Sequence, residues 1–164
     1  MVEQMSMTTE SDPRTWRRDD FPYRMTVQSR WEDNDMLRHV NNVVFFNYFQ
    51  QAFVKFLDEE AAIDWFGDPV IPFAVESFCR LWHPLSYPDL IEVGLRVAAL
   101  SKSSVTYEFA LFKEGNDGPA ATGRFVHVYV DRQSQRPAAI PDKIRKAYER
   151  LENPTWSVGN AAKK

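Results

Sequence analysis

Two carboxylates and an imidazole stand close together in one polar loop near the start of the chain. Asp33 and Asp35 are separated by one residue, and His39 follows four positions after Asp35. A loop carboxylate can attack an activated carbonyl carbon or deprotonate a water molecule, and a histidine can orient that water or bind the carbonyl oxygen. These residues also have structural uses, since loop aspartates usually bind amides of their own loop and a histidine can pack at a junction.

The loop leads into a segment that has the pattern of a buried helix. Residues 43–60 contain no Gly or Pro, and apolar side chains cover almost all of its first half. A narrow polar stripe at helical spacing favours a helix over a strand and comprises Asn47, Gln50, Gln51, Lys55 and Asp58. Asn41 and Asn42 precede the apolar residues, and capping is the favoured role of their side chains. The free amides and the dipole at this helix end favour a developing negative oxygen.

The remaining sequence predicts five strands and a short final helix. The strand-like runs are rich in Val, Ile, Phe and Tyr and cover residues 23–31, 70–82, 89–100, 103–113 and 119–131. The last four are long and consecutive, so we expect an antiparallel meander. Residues 141–151 predict a short amphipathic helix with Pro at its start. Because a single apolar helix must be buried against the sheet, we predict an α+β fold in which a curved antiparallel sheet wraps around one long central helix.

The composition fits one domain and excludes several classes of protein. The chain has 164 residues, of which 44% are apolar, and its net charge of -3 argues against a broad nucleic-acid surface. No apolar run is long enough to cross a membrane, and no secretory signal is present. The single cysteine cannot form an internal disulfide, so a reducing cytoplasm is the default location. The one cysteine and three histidines do not have the spacing of a zinc site. We expect a flexible leader over residues 1–20, the folded domain over 21–152 and a flexible tail over 153–164.

The segment WEDNDMLRHVNNVVFFNYF, residues 31–49, resembles the signature of the 4-hydroxybenzoyl-CoA thioesterase family. That family has an Asp-x-Asp loop after its first strand, and a His or Ile followed by Val then leads into the buried helix. Residues 83–93, HPLSYPDLIEV, resemble its Pro-x-x-x-x-Asp turn, and residues 100–109, LSKSSVTYEF, resemble its Ser-rich turn. The resemblance covers about residues 22–150. It implies a hotdog fold and the hydrolysis of an acyl-CoA thioester.

The resemblance also implies roles for individual residues. Asp35 becomes the central catalytic carboxylate, as nucleophile or general base, and the backbone N–H of Asn42 becomes the donor that polarises the thioester carbonyl. His39 is the third catalytic candidate, although many members have Ile or Val there. Arg38 stands where the family usually has Gly, so its side chain could reshape the loop or reach the ligand. Asp33 is expected to be structural.

Several residues are candidates for contact with the substrate. They are Arg38, Asn41, Glu76, Lys102 and Ser103. Glu76 could line the pocket, although a solvent-facing or interface residue is the simpler interpretation. Lys102 is the only basic residue in the 101–104 turn, where some members of the family carry a basic cluster for the coenzyme phosphates. No metal and no separate cofactor is expected, because coenzyme A is part of the substrate.

Other reactive or charged residues have simpler interpretations. Cys79 and His83 are expected to be ordinary sheet residues, because a lone cysteine without a nearby base is a weak nucleophile. A basic group near the C-terminal end could bind the coenzyme phosphates, but a solvated face is the simpler interpretation. Its members are Arg132, Arg136, Lys143 and Arg145.

Self-association follows from the resemblance as well. In the family the thioester lies between subunits, so Asp35 would face residues 70–78 of a partner copy, and edge-to-edge pairing would remove an exposed sheet edge. A dimer is the first expectation and a tetramer the second, with the polar stripe of the helix facing the partner rather than the pocket.

Two other functions stay open. They are a non-catalytic module that binds acyl ligands and a hotdog hydratase or dehydratase, whose characteristic histidine pattern is missing here. The sequence does not specify the acyl group of the substrate. It also does not specify whether the acyl group is carried by coenzyme A or by acyl carrier protein.

Overall fold

A computed structural model of the protein describes residues 11–152, which form five strands and two α-helices. In chain order these are β1 (Tyr23–Gln28), α1 (Asn42–Ala61), β2 (Val70–Leu81), β3 (Leu90–Leu100), β4 (Ser104–Lys113), β5 (Ala121–Asp131) and α2 (Asp142–Leu151). Every predicted strand and helix is present, with small shifts at the ends. The predicted tail, and residues 1–10 of the predicted leader, lie outside the described residues.

All five strands belong to one antiparallel sheet with the order β1-β3-β4-β5-β2. Strands β3, β4 and β5 form the expected meander, but β2 pairs with β5 and not with β3. The prediction of a four-strand meander is therefore wrong for β2. The connection over residues 82–89 crosses the end of the sheet instead, and it is long enough to pass strands that lie about 4.8 Å apart. This topology makes β1 and β2 the two edge strands.

Helix α1 packs against one face of the sheet, which we call the inner face. Most of its buried side chains are aromatic, namely Phe45, Tyr48, Phe49, Phe53 and Phe56. Gly123 of β5 permits the close approach of the helix, because a Cβ atom there would lie 2.5 Å from a ring carbon of Phe49. The curved sheet around a central helix confirms the predicted α+β hotdog fold.

Helix α1 has distinct caps at both ends. The side chain of Asn41 accepts a hydrogen bond from the backbone N–H of Val43 at 3.1 Å, which is the capping role expected from the sequence. The helix ends at Ala62, whose φ of 46° lies in the left-handed region. Although α1 is apolar, no helix within residues 11–152 is long and apolar enough to span a membrane.

Helix α2 is attached to the core by buried tyrosines. The hydroxyl of Tyr148 in α2 hydrogen-bonds to those of Tyr107 and Tyr129, which belong to β4 and β5. The ring of Tyr148 also stacks on Phe56 of α1, with the centroids 6.3 Å apart. These contacts join both helices to the inner face of the sheet.

The segment before β1 covers part of the opposite, outer face of the sheet. Trp16 lies between two short 3-10 helices and is only 6% exposed. Its ring packs over the guanidinium of Arg96, at 4.3 Å from the ring centroid, and that guanidinium pairs with Glu108 at 2.8 Å. The predicted flexible leader over residues 1–20 is therefore wrong for its second half, because residues 11–20 pack on the sheet.

Candidate active site

The loop that joins β1 to α1 is a tight turn closed by its own backbone. The N–H of Asp35 donates to the carbonyl of His39 at 2.9 Å, and the N–H of Arg38 donates to the carbonyl of Asp35 at 3.0 Å. Arg38 has a φ of 64°, in the left-handed region that favours glycine. The glycine that the resembled family usually has here suits this positive φ. In this chain Arg38 adopts the same backbone conformation, and its side chain is exposed.

Asp35 is half-buried in this loop, and its two carboxylate oxygens have different surroundings. Oδ1 accepts a hydrogen bond from the N–H of Leu37 at 2.7 Å. Oδ2 accepts none from any residue within 11–152. Asp35 therefore has the structural role that is common for a loop aspartate, because Oδ1 binds an amide of its own loop. That bond fixes the carboxylate and leaves Oδ2 available to water or substrate.

The loop is held in place by the connection between β2 and β3. The N–H of Val40 donates to the carbonyl of Leu85 at 2.7 Å. The hydroxyl of Ser86 donates to the carbonyl of Arg38 at 2.8 Å. Both bonds fix residues near His39 against residues 82–89, so the loop has a defined position relative to the end of the sheet.

Asp33 anchors the start of the loop, as expected for a structural residue. Its carboxylate is 2% exposed and accepts hydrogen bonds from the hydroxyl of Tyr48 at 2.7 Å and from the backbone N–H of Arg30 at 2.8 Å. Burial by itself would raise the pKa of Asp33, but these bonds and the Arg30 guanidinium hold the pKa below its ordinary value. Asp33 thus stays ionised and ties the loop to the middle of α1.

A cleft of about 430 Å³ opens between the loop, the start of α1 and the residues after β2. Its lining comprises Asp35, Leu37, His39, Val40, Asn42, Phe45, Leu81, Trp82, His83 and Pro84. The three residues assigned to catalysis, Asp35, His39 and Asn42, therefore border the same cleft. Apolar walls with a few polar groups are typical of a small-molecule site.

Asn42, at the N-terminus of α1, lines this cleft and carries a candidate backbone donor. Asn42 is the first residue of the helix, and its N–H makes no hydrogen bond to any residue within 11–152. The neighbouring amide of Val43 is occupied by the Asn41 cap. An unoccupied amide at the positive end of a helix can stabilise an oxygen that gains negative charge.

His83 and Trp82 also line the cleft, which the sequence did not indicate. The interpretation of His83 as an ordinary sheet residue is wrong, because it follows β2 and lies exposed beside the loop. Its position depends on β2 being an edge strand next to β5, and chain order alone does not show this. The one available signal is that a Trp-His-Pro sequence directly follows a long strand.

Glu76 lies away from the cleft of its own chain. Directly paired residues of neighbouring strands share a face of the sheet. Ser77 pairs with Phe125, which packs in the core on the inner face, so the preceding Glu76, paired with Val126, is on the outer face. The proposal that Glu76 lines the pocket finds no geometric support within one chain.

Lys102 and Ser103 are also distant from the cleft of their own chain. Their carbonyls accept hydrogen bonds from the N–H groups of Ile140 and Tyr129, at 2.9 and 2.7 Å, beside the start of α2. By the strand register, this turn lies roughly eight residues, or about 25 Å, along the sheet from the end of β2. Within one chain, Lys102 therefore does not border the cleft.

The C-terminal basic residues make structural contacts. Arg132 donates to the carbonyls of Asp68 and Trp65 at 2.9 and 2.8 Å, and Lys143 pairs with the carboxylate of Asp68 at 3.2 Å. Arg145 donates to carbonyls of the 101–104 turn. These bonds fasten surface segments to one another, at a distance from the cleft.

Cys79 and the polar stripe of α1 do not join the cleft either. Cys79 is on the inner face, and burial raises the pKa of its thiol to about 11, which disfavours a thiolate nucleophile. Asn47 and Gln51 hydrogen-bond to each other at 2.8 Å and border a separate depression near β1. Within residues 11–152, no three His, Cys, Asp or Glu side chains are grouped as a metal site requires.

Comparison with known proteins assigns the family. The model described as the thioesterase-like superfamily matches residues 29–148, which include the loop, α1 and the whole sheet except β1. The chain belongs to the thioesterase-like superfamily. The narrower resemblance to the 4-hydroxybenzoyl-CoA thioesterase family stays an expectation.

Solved structures of other proteins resemble this thioesterase-like chain over most of its length. The PA5185 protein of Pseudomonas aeruginosa strain PAO1 is 44% identical with a TM-score of 0.81, over 84% of this chain and 96% of that one. A thioesterase of Thermus thermophilus, complexed with coenzyme A and Zn, is 30% identical with a TM-score of 0.69, over 82% and 96%. Slr0204 of Synechocystis, a 1,4-dihydroxy-2-naphthoyl-CoA thioesterase, is 15% identical with a TM-score of 0.72, over 77% and 94%, and shows the shared fold alone.

Proposed function

We propose that this protein hydrolyses acyl-CoA thioesters in the cleft beside Asp35. The observation that carries the proposal is that Asp35 and Asn42 border the same cleft. Within residues 11–152, one carboxylate oxygen of Asp35 and the N–H of Asn42 make no hydrogen bond. Membership of the thioesterase-like superfamily supports the reaction. The coenzyme A complex of the Thermus thermophilus relative supports coenzyme A as the thiol part. The acyl group stays open.

The chemistry requires an oxygen nucleophile and a site for the carbonyl oxygen. In the general-base route, Asp35 takes a proton from water as the water oxygen attacks the carbonyl carbon. The C–S bond then breaks, and coenzyme A leaves as the thiol after the sulfur receives that proton. In the nucleophilic route, the Asp35 carboxylate attacks the carbonyl carbon itself, the C–S bond breaks, and coenzyme A leaves as a thiolate that takes up a proton from water. Water or hydroxide then hydrolyses the mixed anhydride, which releases the acid and regenerates the Asp35 carboxylate. In both routes the N–H of Asn42 donates a hydrogen bond to the developing oxyanion, and such a donor contributes about 3 kcal/mol of transition-state stabilisation.

Two imidazoles border the same cleft and assist this reaction. His39 and His83 are both exposed and line this cleft together with Asp35. An imidazole there orients the attacking water or donates a proton to the leaving sulfur. Because the resembled family tolerates Ile or Val at the position of His39, its contribution is smaller than that of Asp35.

The proposal includes a second copy of the chain. Strand β2 is an edge strand whose large apolar side chains are exposed, with Phe73 at 55%, Val75 at 57% and Leu81 at 47%. Such an edge is a liability unless another strand covers it. We propose that two copies pair along β2, so that Asp35 faces residues 70–78 of the partner. A tetramer that consists of two such dimers is the second proposed assembly.

A thiol-release assay on a panel of acyl-CoA substrates tests the function. The panel spans short, long and aromatic acyl groups, and the matching acyl carrier protein thioesters accompany it. The proposal is supported if the wild type releases thiol from an acyl-CoA and the Asp35→Asn variant does not. Binding of acyl-CoA without any thiol release would instead identify a non-catalytic acyl-binding module.

A further inference from the structure

A second cavity lies on the outer face of the sheet, opposite α1. It has a volume of about 310 Å³ and runs between the segment before β1 and strands β5 and β2. Trp16 and Pro13 form one wall, and Phe78 and Arg80 of β2 form the other. We call this cavity the outer groove.

The outer groove is basic in a protein whose net charge is -3. The guanidinium groups of Arg80 and Arg124 line it. The one carboxylate in its lining, Glu108, is 5% exposed and is neutralised by Arg96, whose Nε lies 2.8 Å from Oε2. Asp12 is near enough to interact with the charge of Arg80, but its carboxylate pairs with Arg14 at 2.6 Å. An anion in the outer groove therefore meets the positive charge of Arg80.

Arg80 is held in place by aromatic rings. Its guanidinium packs over Phe78 and Trp82, at 5.4 and 5.6 Å from the ring centroids, and the guanidinium of Arg14 packs over Trp82 at 5.8 Å. The side chain of Arg80 donates no hydrogen bond to any residue within 11–152. Its donors are therefore oriented by stacking and remain available to a phosphate, for which a planar guanidinium is well suited.

Trp82 separates the outer groove from the cleft beside Asp35. It lines the cleft, and its indole N–H donates at 3.1 Å to the hydroxyl of Thr122, which lines the outer groove. The two cavities are therefore neighbours around the end of β2. The pantetheine arm of coenzyme A is a long flexible chain between the thioester and the phosphorylated nucleotide, and it can extend from one cavity into the next.

We propose that the outer groove holds the phosphorylated nucleotide end of acyl-CoA, with Arg80 as its main phosphate contact. This inference rests on the proposed function, because it places the far end of the same substrate. It also assigns a phosphate site that the 101–104 turn, at the other end of the sheet, does not provide within one chain.

A comparison of two substrates isolates the nucleotide end. One is an acyl-CoA, and the other is the N-acetylcysteamine thioester of the same acyl group, which has no nucleotide. In Arg80→Ala we expect KM for the acyl-CoA to rise about tenfold with kcat unchanged, since a charge-assisted hydrogen bond contributes about that factor or more. Both parameters for the N-acetylcysteamine thioester should stay at wild-type values, which also shows that the variant is folded. Arg80→Lys, which keeps the charge, should restore part of the affinity.

Arg24→Ala is the matched control. Arg24 is on the same face, at the opposite edge of the sheet, and within residues 11–152 its one ion pair is with the exposed Asp19 at 3.2 Å. We expect it to leave both KM values unchanged. An unchanged KM for acyl-CoA in Arg80→Ala, or an equal rise for both substrates, would overturn the proposal.

Calorimetric titration with free coenzyme A separates this inference from the proposed hydrolysis. If the wild type binds coenzyme A about tenfold more tightly than Arg80→Ala but hydrolyses no thioester, the outer groove is supported and the proposed hydrolysis fails. If thioesters are hydrolysed but both proteins bind coenzyme A equally, the hydrolysis is supported and the outer groove fails.

Discussion

At the residue scale, the surroundings of Asp35 separate its structural use from its proposed chemistry. Oδ1 is bound by the N–H of Leu37, whereas Oδ2 has no hydrogen-bond donor within residues 11–152. An asparagine at this position retains an oxygen that can accept the Leu37 bond but has no carboxylate. Replacement by asparagine therefore removes the base or nucleophile while it preserves the loop.

Loss of His39 should harm catalysis less than loss of the Asp35 carboxylate. His39 is exposed at the cleft wall, and His83 borders the same cleft and can take over part of its role. We expect His39→Ala to lower kcat/KM by about tenfold, compared with a hundredfold or more for Asp35→Asn. Steady-state thiol release measures both. If the histidine variant were the more damaged of the two, the roles assigned to these residues would have to be exchanged.

His127 is a buried imidazole outside the active site. It is 3% exposed in β5, and the rings of Phe53 and Tyr107 enclose it at centroid distances of 4.7 and 5.1 Å. Neither ring nitrogen has a hydrogen-bond partner within the described part of the chain. Burial lowers the pKa of His127 from 6.5 to about 4, because the charged form cannot be solvated there.

The buried His127 should make stability depend on pH. Between pH 6.5 and about 4, the unfolded chain binds a proton at this residue that the folded chain does not bind. The free energy of unfolding should therefore decrease as the pH is lowered through this window, by about 3 kcal/mol in total. Urea unfolding of His127→Leu at pH 4.5 and 7.5 should show a smaller difference than the wild type.

His83→Leu is the matched control for this stability measurement, because His83 is exposed. It should keep the pH dependence of the wild type. An identical pH dependence in His127→Leu and the wild type would show that other groups cause the loss of stability.

At the element scale, the helix and the loop before it were predictable because their signals are local. The Asn41 cap, the gap-free apolar run and the spacing of the polar stripe all depend on residues within a few turns of one another. The Asp-x-Asp loop is equally local, and the cleft does bring Asp35, His39 and Asn42 together. The periodicity of the strands likewise gave their existence and approximate ends.

The errors concern which elements are neighbours. The side of the sheet that β2 joins is decided by long-range pairing, and chain order suggested β3 instead of β5. That choice determines that His83 reaches the cleft. The face on which Glu76 lies depends on strand register, including the irregularity between Ala74 and Glu76, which periodicity does not reveal.

The hydrogen bond between Tyr48 and Asp33 should stabilise the connection between loop and helix. Tyr48→Phe removes a 2.7 Å bond to a carboxylate that is 2% exposed, so we expect the free energy of unfolding to fall by about 1–3 kcal/mol. Tyr23→Phe makes the same change at an exposed bond to Glu59 of 3.1 Å and should cost about 0.5 kcal/mol or less. Urea denaturation compares the two. Equal losses would show that the buried bond has no special role.

At the scale of the whole molecule, edge strand β2 exposes several large apolar side chains. Charge on this edge should prevent pairing of two copies. If two copies pair along β2 as proposed, Val75→Lys should shift the protein from dimer to monomer in sedimentation velocity. It should also lower activity, because the partner strand completes the pocket in the proposed dimer. Phe66→Lys, at an apolar residue that is 93% exposed in the turn before β2, is the control and should remain dimeric. A wild-type protein that is monomeric and fully active at nanomolar concentration would contradict the dimer.

The central claim is that the Asp35 carboxylate carries out the hydrolysis of an acyl-CoA thioester. The most direct measurement is the rate of thiol release by Asp35→Asn on the best substrate of the panel, with urea unfolding of the same sample. We predict a rate at least about a hundredfold below wild type, as for the loss of a positioned base, with an unchanged free energy of unfolding. Near wild-type turnover in the folded variant would contradict the claim.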